Sequence, residues 1–540
     1  MQHGNINALD FEKQKYWAPD KWSTSVPDLL MRDHFADTGA DINSMSLPLL
    51  AMQYTLRHFV KCADFCIVCH CKTFENLNSF KPYVCSRELC LSQYMHLGIG
   101  SSTESKILLH PNVVDLLVCL AYLSAVGNCL EGFPDGLDIK VPPMPIDEYL
   151  YPGEEGRSFD FPYGARLDTE HLTLSGSDVM NIKDGDWIVI FHDKSQAVWH
   201  FQATGYSHKS RRFSLVKPLY LTERNGGLDK LNKKRHDIQF CIYDQDFSKL
   251  TLLQKQASVI SLLETLPSIA AIAKLLRKPS SDNLNLNLNP SLLGMTSPAA
   301  LLLLRWIVQS NRSYIVHDTE KSYYDSTGRI SLLKFRFLQG APDKEHRFME
   351  AVKKYAAGQK PQTIMAWHGS PIFNWHSISR EGLHFRRTAH GRSWGNGVYL
   401  SQQFDCSLGF STTRHPADTA NWPGSCLDMK YVISLNEVVN CPQSFVYSGS
   451  GTYVVQYLDW IQTRYLYVGS GGAKSNRKVK HYLATQMNCC NYPPSLLHSV
   501  PNRVVIDLVD EENSAEERPA KKARKHQNNE LDAIWNSFQG

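Results

Sequence analysis

Apolar periodicity predicts three helical stretches. Residues 113–126, VVDLLVCLAYLSAV, are apolar on every side, which is typical of a helix buried in a protein core. Helical periodicity also covers residues 249–278 and 298–314. The segment between them, PSSDNLNLNLNPS at 279–291, is of low complexity and predicts a mobile surface loop.

A different pattern, of β-branched and aromatic runs bounded by turn residues, predicts a small β-rich domain. Three such runs predict strands: residues 187–192, 198–204 and 213–221. Trp187 and Trp199, within these runs, are interpreted as core residues rather than ligand contacts. Proline and glycine dominate residues 130–165, which favours a connector.

Composition and charge are those of an ordinary globular protein. Of 540 residues, 43% are hydrophobic and 20% are charged, and the net charge of +4 does not indicate a nucleic-acid partner. The first residues lack the apolar run of a secretory signal. No apolar stretch reaches the roughly 20 residues of a membrane span, since Arg305 interrupts the best one, at 299–308. We therefore expect a soluble intracellular protein without a membrane partner.

Cysteines are concentrated in one segment. The chain has 14, and six of them lie between Cys62 and Cys90. The pairs Cys66-x-x-Cys69 and Cys85-x₄-Cys90 have the spacing of a tetrahedral Zn²⁺ site, which would be structural because four protein ligands leave no open position. A group of buried thiols without metal is the alternative. Further candidate ligands keep the exact set open: Cys62, His70 and Cys71.

The candidate chemistry lies within residues 364–412. The strand-like IMAWHGS ends on His368, Gly369 and Ser370, so that an imidazole, a backbone without Cβ and a hydroxyl share one edge. Because glycine lets a ligand approach the main chain, such an edge can dock a polar planar ligand, although a structural turn has the same pattern. A basic loop then leads into WGNGVYLSQQFDCSLGFST.

Taken together, WHGS and GNGVYLS resemble the signature of poly(ADP-ribose) polymerase (PARP)-type ADP-ribosyltransferases. The resemblance implies that NAD⁺ binds at this edge. Gly369 would bond the nicotinamide carboxamide through its backbone, and His368 would bond the adenosine ribose. Ser370 and Asn374 fall where the family contacts the same ribose.

The resemblance implies three further contacts on the nicotinamide side. Tyr399, in GNGVY, matches the tyrosine that stacks on the nicotinamide ring. Ser407 matches the serine that bonds the carboxamide oxygen, and Phe410 matches the second stacking aromatic residue.

The third position of the family's catalytic triad lies on a late strand. Counting back from Tyr465 in GTYVVQYLDWIQTRYLYV places Thr452 where polymer-forming members carry glutamate, so the triad is His368, Tyr399 and Thr452. Threonine supplies no negative charge to activate a ribose for elongation. The resemblance therefore implies a mono-ADP-ribosyltransferase, which passes single ADP-ribose units from NAD⁺ to protein acceptors and releases nicotinamide. A weak or inactive scaffold or reader is the alternative.

The resemblance extends upstream through QSNRSYIV and FRFLQGAPDKEHRFMEAV. The similar members carry a cysteine-rich segment and include fungal proteins fused to a ubiquitin-conjugating domain. It implies an α+β fold with a PARP-type β-sandwich core, a preceding helical subdomain, a small zinc-binding segment and a small β-rich domain. The predicted order is an N-terminal segment (1–60), a cysteine-rich zinc-binding segment and helix (61–130), the β-rich domain (165–235), a helical region (240–328), the PARP catalytic domain (329–490) and a disordered tail (505–540).

A second motif is rejected as a catalytic site. His110-Pro111-Asn112 ahead of Cys119 is superficially similar to the signature of ubiquitin-conjugating enzymes. Cys119 lies in the all-apolar run, however, where a buried thiol keeps a high pKa and is inert. The polar loop that such a site needs is absent from the sequence around it.

The tail carries two candidate interaction signals. The basic cluster at 521–525 suits nuclear import, or is an ordinary solvated run. Residues 504–512 resemble a SUMO-interacting motif, or form a last strand of the fold. A SUMO or ubiquitin-pathway partner is therefore a candidate, and the nucleus or cytoplasm is the expected location.

Overall fold

A computed structural model describes most of the chain between residues 46 and 482. The described residues are 46–60, 62–69, 71, 74, 79–143, 161–192, 197–216, 235–277, 296–324, 331–385, 393–411, 421–470 and 481–482. The chain divides into two compact units, one of residues 1–62 and 496–540 and the other of residues 63–495. The described part of the first unit contains helix α1, Leu47–Val60. The predicted loop at 279–291 and tail at 505–540 lie outside the described residues.

Six helices among the described residues of the second unit precede its large sheet: α2 Glu88–Leu97, α3 Thr103–Leu109, α4 Pro111–Val126, α5 Leu252–Glu264, α6 Ile269–Leu276 and α7 Pro298–Gln309. Helix α4 is buried at every position from 113 to 125, which confirms the predicted core helix. Helices α5, α6 and α7 pack against it. The predicted helix at 249–278 is divided in two, because Pro267 cannot continue α5 and Ser268 caps α6.

None of the described helices is by itself both long and apolar enough to cross a membrane. Two pairs of consecutive helices, α3 with α4 and α5 with α6, pass the same test of length and composition jointly, although they bend by 117° and 56° between their members.

The β-rich part of the chain forms a closed barrel with the strand order β2-β3-β6-β5-β4-β7. Its strands are β2 Tyr163–Asp168, β3 Thr173–Ser175, β4 Trp187–His192, β5 Ala197–Ser207, β6 Arg212–Val216 and β7 Arg235–Ile242. Strands β4 and β5 confirm the predictions at 187–192 and 198–204, and Trp187 and Trp199 are buried as expected. The barrel ends at Ile242 and not at the predicted boundary of 235. Two short strands beside it, β1 Lys140–Val141 and β8 Gln245–Asp246, pair with each other.

A nine-stranded sheet carries the predicted catalytic region. Its strands are β9 Tyr314–Tyr324, β10 Ser331–Gln339, β11 Thr363–Gly369, β12 Val398–Ser401, β13 Tyr431–Val439, β14 Tyr447–Gly449, β15 Thr452–Val455, β16 Ile461–Ser470 and β17 His481–Tyr482, in the spatial order β14-β15-β12-β11-β13-β16-β10-β9-β17. In the described part of this region three helices accompany the sheet: α8 Pro342–Tyr355, α9 Trp375–Glu381 and α10 Phe404–Ser411. Helices and antiparallel strands in these proportions confirm the α+β class.

Strand β9 corrects two sequence predictions. The region at 240–328 is not helical throughout, and the helix predicted at 298–314 ends at Gln309. Both errors arise because the strand begins only five residues after the helix ends, and hydrophobic periodicity does not locate element boundaries that accurately. The predicted β-sandwich, a fold of two packed layers of strands, stays a prediction. Hydrogen bonds connect the nine described strands into one sheet, and this connection does not show whether the sheet folds into two layers.

Candidate functional site

Three adjacent strands, β11, β12 and β15, carry the predicted triad. Trp367 on β11 pairs with Ser401 on β12, and Ser401 pairs in turn with Thr452 on β15. His368 follows Trp367 directly, and Tyr399 precedes Ser401 by two positions. Tyr399 pairs with Val454, two positions beyond Thr452, so the three predicted residues lie within a few residues of one another on adjacent strands about 4.8 Å apart, with Thr452 at the opposite end of β12 from Tyr399.

The imidazole of His368 bridges two of these strands. Its Nδ1 lies 2.9 Å from the carbonyl oxygen of Tyr399. Since a carbonyl oxygen only accepts hydrogen bonds, Nδ1 carries the proton and Nε2 is the acceptor nitrogen. Burial lowers the pKa of His368, and the hydrogen bond to Tyr399 opposes this shift only in part. The ring is therefore neutral at physiological pH and can accept a hydrogen bond from a hydroxyl group.

Gly369 lies against helix α10 so closely that no other residue fits. A Cβ atom at this position would lie 1.7 Å from the carbonyl oxygen of Ser407. Ser407 itself is buried, and its backbone lies beside the end of β11. The structure thus places these two predicted nicotinamide contacts next to each other.

Ser370 and Asn374 form a hydrogen-bonded turn after β11. The Asn374 amide donates to the Ser370 hydroxyl at 3.0 Å, and the Trp375 indole donates to the Ser370 carbonyl oxygen at 3.0 Å. Ser124 of helix α4 donates to the Phe373 carbonyl oxygen at 2.5 Å. The predicted adenosine-side residues therefore lie on a turn that α4 holds from behind.

The ring of Tyr399 is fixed by its own hydroxyl group. This hydroxyl donates to the Gly395 carbonyl oxygen at 3.0 Å and accepts from the Trp394 backbone N–H at 3.1 Å. The Trp394 ring is 47% exposed and stacks on Tyr447 at 4.8 Å, beside the Tyr399 ring. The sequence analysis missed Trp394, whose only sequence signal is its position directly before GNGVY.

Phe410 and Thr452 complete the predicted set. Phe410 lies on α10 one turn after Ser407 and is 62% exposed. Thr452 is half-buried and begins β15 after a tight turn in which Ser450 and Gly451 have φ of 48° and 76°. The start of β15 therefore carries the half-buried hydroxyl group of Thr452, while the hydroxyl of its buried partner Ser401 accepts from the Gln403 backbone N–H at 3.0 Å.

The cysteine segment gathers four sulfur atoms. The Sγ atoms of Cys66, Cys69, Cys85 and Cys90 all lie within 4.8 Å of one another. Sulfurs around a tetrahedral Zn²⁺ with bonds of about 2.3 Å are about 3.8 Å apart, so a modest contraction accommodates the ion. Burial raises the pKa of Cys85 to about 11, with neighbouring sulfurs contributing in the same direction, and burial also raises the pKa of Cys90. A divalent ion would supply the positive charge that holds such thiols as thiolates.

Of the spare ligand candidates, Cys71 has hydrogen-bond partners other than the four sulfur atoms. Cys71 donates to the Cys69 carbonyl oxygen at 3.4 Å and accepts from Arg87 at 3.8 Å. Cys62 is exposed, and His70 lies outside the described residues. The described residues thus offer the four cysteines of the sequence prediction as the compact ligand set.

Cys119 behaves as the core residue that its helix predicted. It is fully buried, and its thiol donates to Asp115 at 3.4 Å. Burial, with the Asp115 carboxyl beside it, raises the pKa of Cys119 well above its usual value. A thiol in this state is not a nucleophile, which supports the rejection of the ubiquitin-conjugating interpretation.

Comparisons with known proteins single out the same region. Residues 332–438 match the family description "Poly(ADP-ribose) polymerase catalytic domain". The chain is 28% identical over 211 residues to "Protein mono-ADP-ribosyltransferase PARP8" of Mus musculus, covering 34% of this chain and 23% of that relative. It is 36% identical over 121 residues to the Homo sapiens protein of that name, covering 21% and 13%. The chain thus spans less than a quarter of the length of these relatives, and the domain match ends before Thr452.

Proposed function

We propose that this chain, which carries a catalytic domain of the PARP type, is an NAD⁺-dependent protein mono-ADP-ribosyltransferase. One observation supports this most strongly. Three adjacent strands carry His368, Tyr399 and Thr452, and Gly369 at the end of β11 lies against Ser407. This arrangement offers a ribose acceptor, a stacking ring and a close backbone approach at one place.

NAD⁺ would bind across this strand end in an extended pose. On the adenosine side, the acceptor Nε2 of neutral His368 suits a ribose hydroxyl, with Ser370 and Asn374 beside it. On the nicotinamide side, the backbone of Gly369 and the hydroxyl of Ser407 suit a carboxamide. Tyr399 and Phe410 would enclose the nicotinamide ring, whose stacking with each aromatic residue contributes about 1 kcal/mol.

The reaction requires nicotinamide to leave as a neutral base. The bond between nicotinamide and ribose C1′ breaks, its electron pair leaves with nicotinamide, and an oxocarbenium-like ribose remains. A protein nucleophile then forms a bond to C1′ and gives up its proton. Thr452 can position a ribose hydroxyl but supplies no carboxylate to activate a second ribose, which favours transfer of single units.

A scaffold or reader that retains the fold without turnover is the second candidate function. The absence of a carboxylate at the Thr452 position is the observation that favours it. The neutral His368 and the hydrogen-bonded Tyr399 favour the enzyme, because a reader has no need of an ordered nicotinamide pocket.

Incubation of the full chain with labelled NAD⁺ separates these functions. The enzyme labels itself or added protein with single units, which appear as a discrete band. A ladder of long polymers would contradict single-unit transfer, and binding of NAD⁺ without any label or free nicotinamide would favour the reader.

The four cysteines, we further propose, hold one structural Zn²⁺. The compact set of Sγ atoms and the burial of Cys66, Cys85 and Cys90 support this assignment. With four protein ligands the ion has no open coordination position, so its contribution is to folding and not to the reaction.

Protein acceptors follow from the proposed reaction, while the acceptor residue does not. A nuclear or cytoplasmic location and a SUMO or ubiquitin-pathway partner are proposals that rest on the sequence of residues 504–525 alone. These residues lie outside the described part of the chain.

A further inference from the structure

Helix α9, which follows the turn of Ser370 and Asn374, ends on a buried cation. The guanidinium of Arg380 lies 4.7 Å from the ring of Trp306, and its Nη1 is 3.2 Å from Nε2 of His376. Among the described residues, no carboxylate oxygen lies within ion-pair distance of it. A buried guanidinium without a carboxylate must be held by its packing, because the desolvation of the charge is costly.

That packing comes from the cysteine segment. Helix α2 carries Cys90 and, five residues later, Met95, whose sulfur accepts from Arg380 at 3.7 Å. The carbonyl oxygen of Met95 accepts from the Trp306 indole at 2.7 Å. Met95 therefore contacts both the cation and the ring on which the cation rests, within five residues of a proposed metal ligand.

Two further contacts fix the cysteine segment to the large sheet. Lys81 is buried and donates to the carbonyl oxygens of Asn311 and Ser313, at 2.7 and 2.9 Å, directly before β9. The Phe80 backbone N–H donates to the side chain of Gln339 at the end of β10, at 3.1 Å. The cysteine segment is thus packed directly against the strands of the predicted catalytic region.

Charge complementarity points the same way. Arg380 is a buried cation that contacts a sulfur and a ring instead of a carboxylate. Four thiolates around a divalent ion carry a net charge of −2, and Cys90 lies five residues, about one and a half helical turns, before Met95. A metal-bound cluster would therefore offset positive charge that the neighbouring elements bury.

We propose that Arg380 is a positioning residue for NAD⁺, and that the metal-bound cysteine cluster sets its place through Met95 and Trp306. Arg380 holds the far end of α9, and the near end of α9 carries the adenosine-side turn. Loss of the metal or of the Arg380 contacts therefore loosens the turn and weakens NAD⁺ binding. This inference rests on the proposed NAD⁺ site. It adds a coupling between the metal-bound cysteine cluster and NAD⁺ binding, which the NAD⁺ site itself does not require.

The test compares three variants of the full, zinc-loaded chain. Arg380→Met removes the cation, Trp306→Phe keeps a ring but removes the indole donor, and Arg305→Met is the matched control. Arg305 lies on the same helix as Trp306 and pairs with Glu104 at 3.3 Å. The measurements are zinc content, circular dichroism, NAD⁺ affinity by calorimetry, and KM and kcat for nicotinamide release.

We expect Arg380→Met to weaken NAD⁺ binding about tenfold, which corresponds to about 1.4 kcal/mol. KM should rise in proportion while kcat stays within about twofold, because Arg380 does not touch the reacting ribose. Trp306→Phe should weaken binding about threefold, and Arg305→Met should leave it unchanged within about twofold. Removal of zinc from the wild type should weaken binding, and should have little further effect in Arg380→Met, since coupled changes are not additive.

Wild-type affinity in folded Arg380→Met and Trp306→Phe, or fully additive effects of zinc removal and Arg380→Met, would overturn the inference. If Arg380→Met or the zinc-free chain unfolds, Trp306→Phe decides alone: unchanged affinity rejects the link. A wild type that binds NAD⁺ without releasing nicotinamide refutes the proposed enzyme while leaving the link testable by affinity. A wild type that does not bind NAD⁺ refutes both.

Discussion

At the scale of single residues, Gly369 shows most clearly how the backbone shapes the candidate site. Its Cα faces the carbonyl oxygen of Ser407 at a distance that leaves no room for a side chain. The WHGS motif predicted a glycine at which a ligand approaches the main chain, whereas the structure shows that a helix also requires it. A contact between residues so distant along the chain leaves no local pattern that sequence reasoning can detect.

Gly369→Ala should reduce nicotinamide release by about tenfold or more, because a forced shift of the strand end or of α10 costs about 1–3 kcal/mol. Gly409→Ala is the matched control on the same helix, since a Cβ there meets nothing within 4 Å. It should keep wild-type turnover. Equal turnover in folded Gly369→Ala and wild type would show that the close approach to Ser407 does not matter for catalysis.

At the scale of elements, predictions succeeded where one local period extends over a whole element. Helix α4 is apolar all round and buried, and strands β4 and β5 are recognisable from their β-branched and aromatic runs. Strand β9 was missed because it starts shortly after a helix and includes the polar residues HDTEK. The docking of α2 against Trp306 and Arg380 was not predictable either, because it joins three segments far apart in sequence.

The cysteine segment yields a prediction about stability. Purified protein should contain about one zinc ion per chain, and Cys66→Ser should lose it and lower the melting temperature by about 5 °C or more. Cys71→Ser is the matched control, because the Cys71 thiol bonds a carbonyl oxygen and Arg87 outside the compact group. It should retain zinc. Metal analysis that finds no zinc in protein prepared without chelators would contradict the assignment.

At the scale of the whole molecule, three buried imidazoles make stability depend on pH. Burial lowers the pKa of His200 to about 3, and lowers the pKa of His368 and, well below its usual value, that of His376. The unfolded chain therefore binds protons, near pH 6.5, that the folded chain does not. The free energy of unfolding is therefore highest above pH 6.5 with respect to these groups, and it decreases as the pH falls below 6.5.

Each of these histidines should lower the free energy of unfolding by about 1.4 kcal/mol for every pH unit that the pH falls between 6.5 and the pKa of that histidine in the folded protein. Denaturant unfolding at pH 8, 6.5 and 5.5 measures the slope, with zinc in excess so that loss of metal does not contribute. His200→Gln should make the slope shallower, because the Gln side chain does not titrate. An unfolding free energy that stays constant between pH 6.5 and 5.5 would contradict the neutral burial of these rings.

The central claim is that Tyr399 and His368 form an NAD⁺ site, and nicotinamide release tests it most directly. Tyr399→Ala removes the stacking ring and should reduce turnover about tenfold to a hundredfold, or about 1–3 kcal/mol, and His368→Ala should reduce it at least as much. His384 follows helix α9 and is not one of the predicted NAD⁺ contacts, so His384→Ala should cause a smaller loss. Cys119→Ala should leave turnover intact, because Cys119 is a buried core residue. Each variant is first shown to be folded by circular dichroism. Wild-type release by folded Tyr399→Ala would contradict the assigned site, and loss of release in Cys119→Ala alone would restore the ubiquitin-type interpretation.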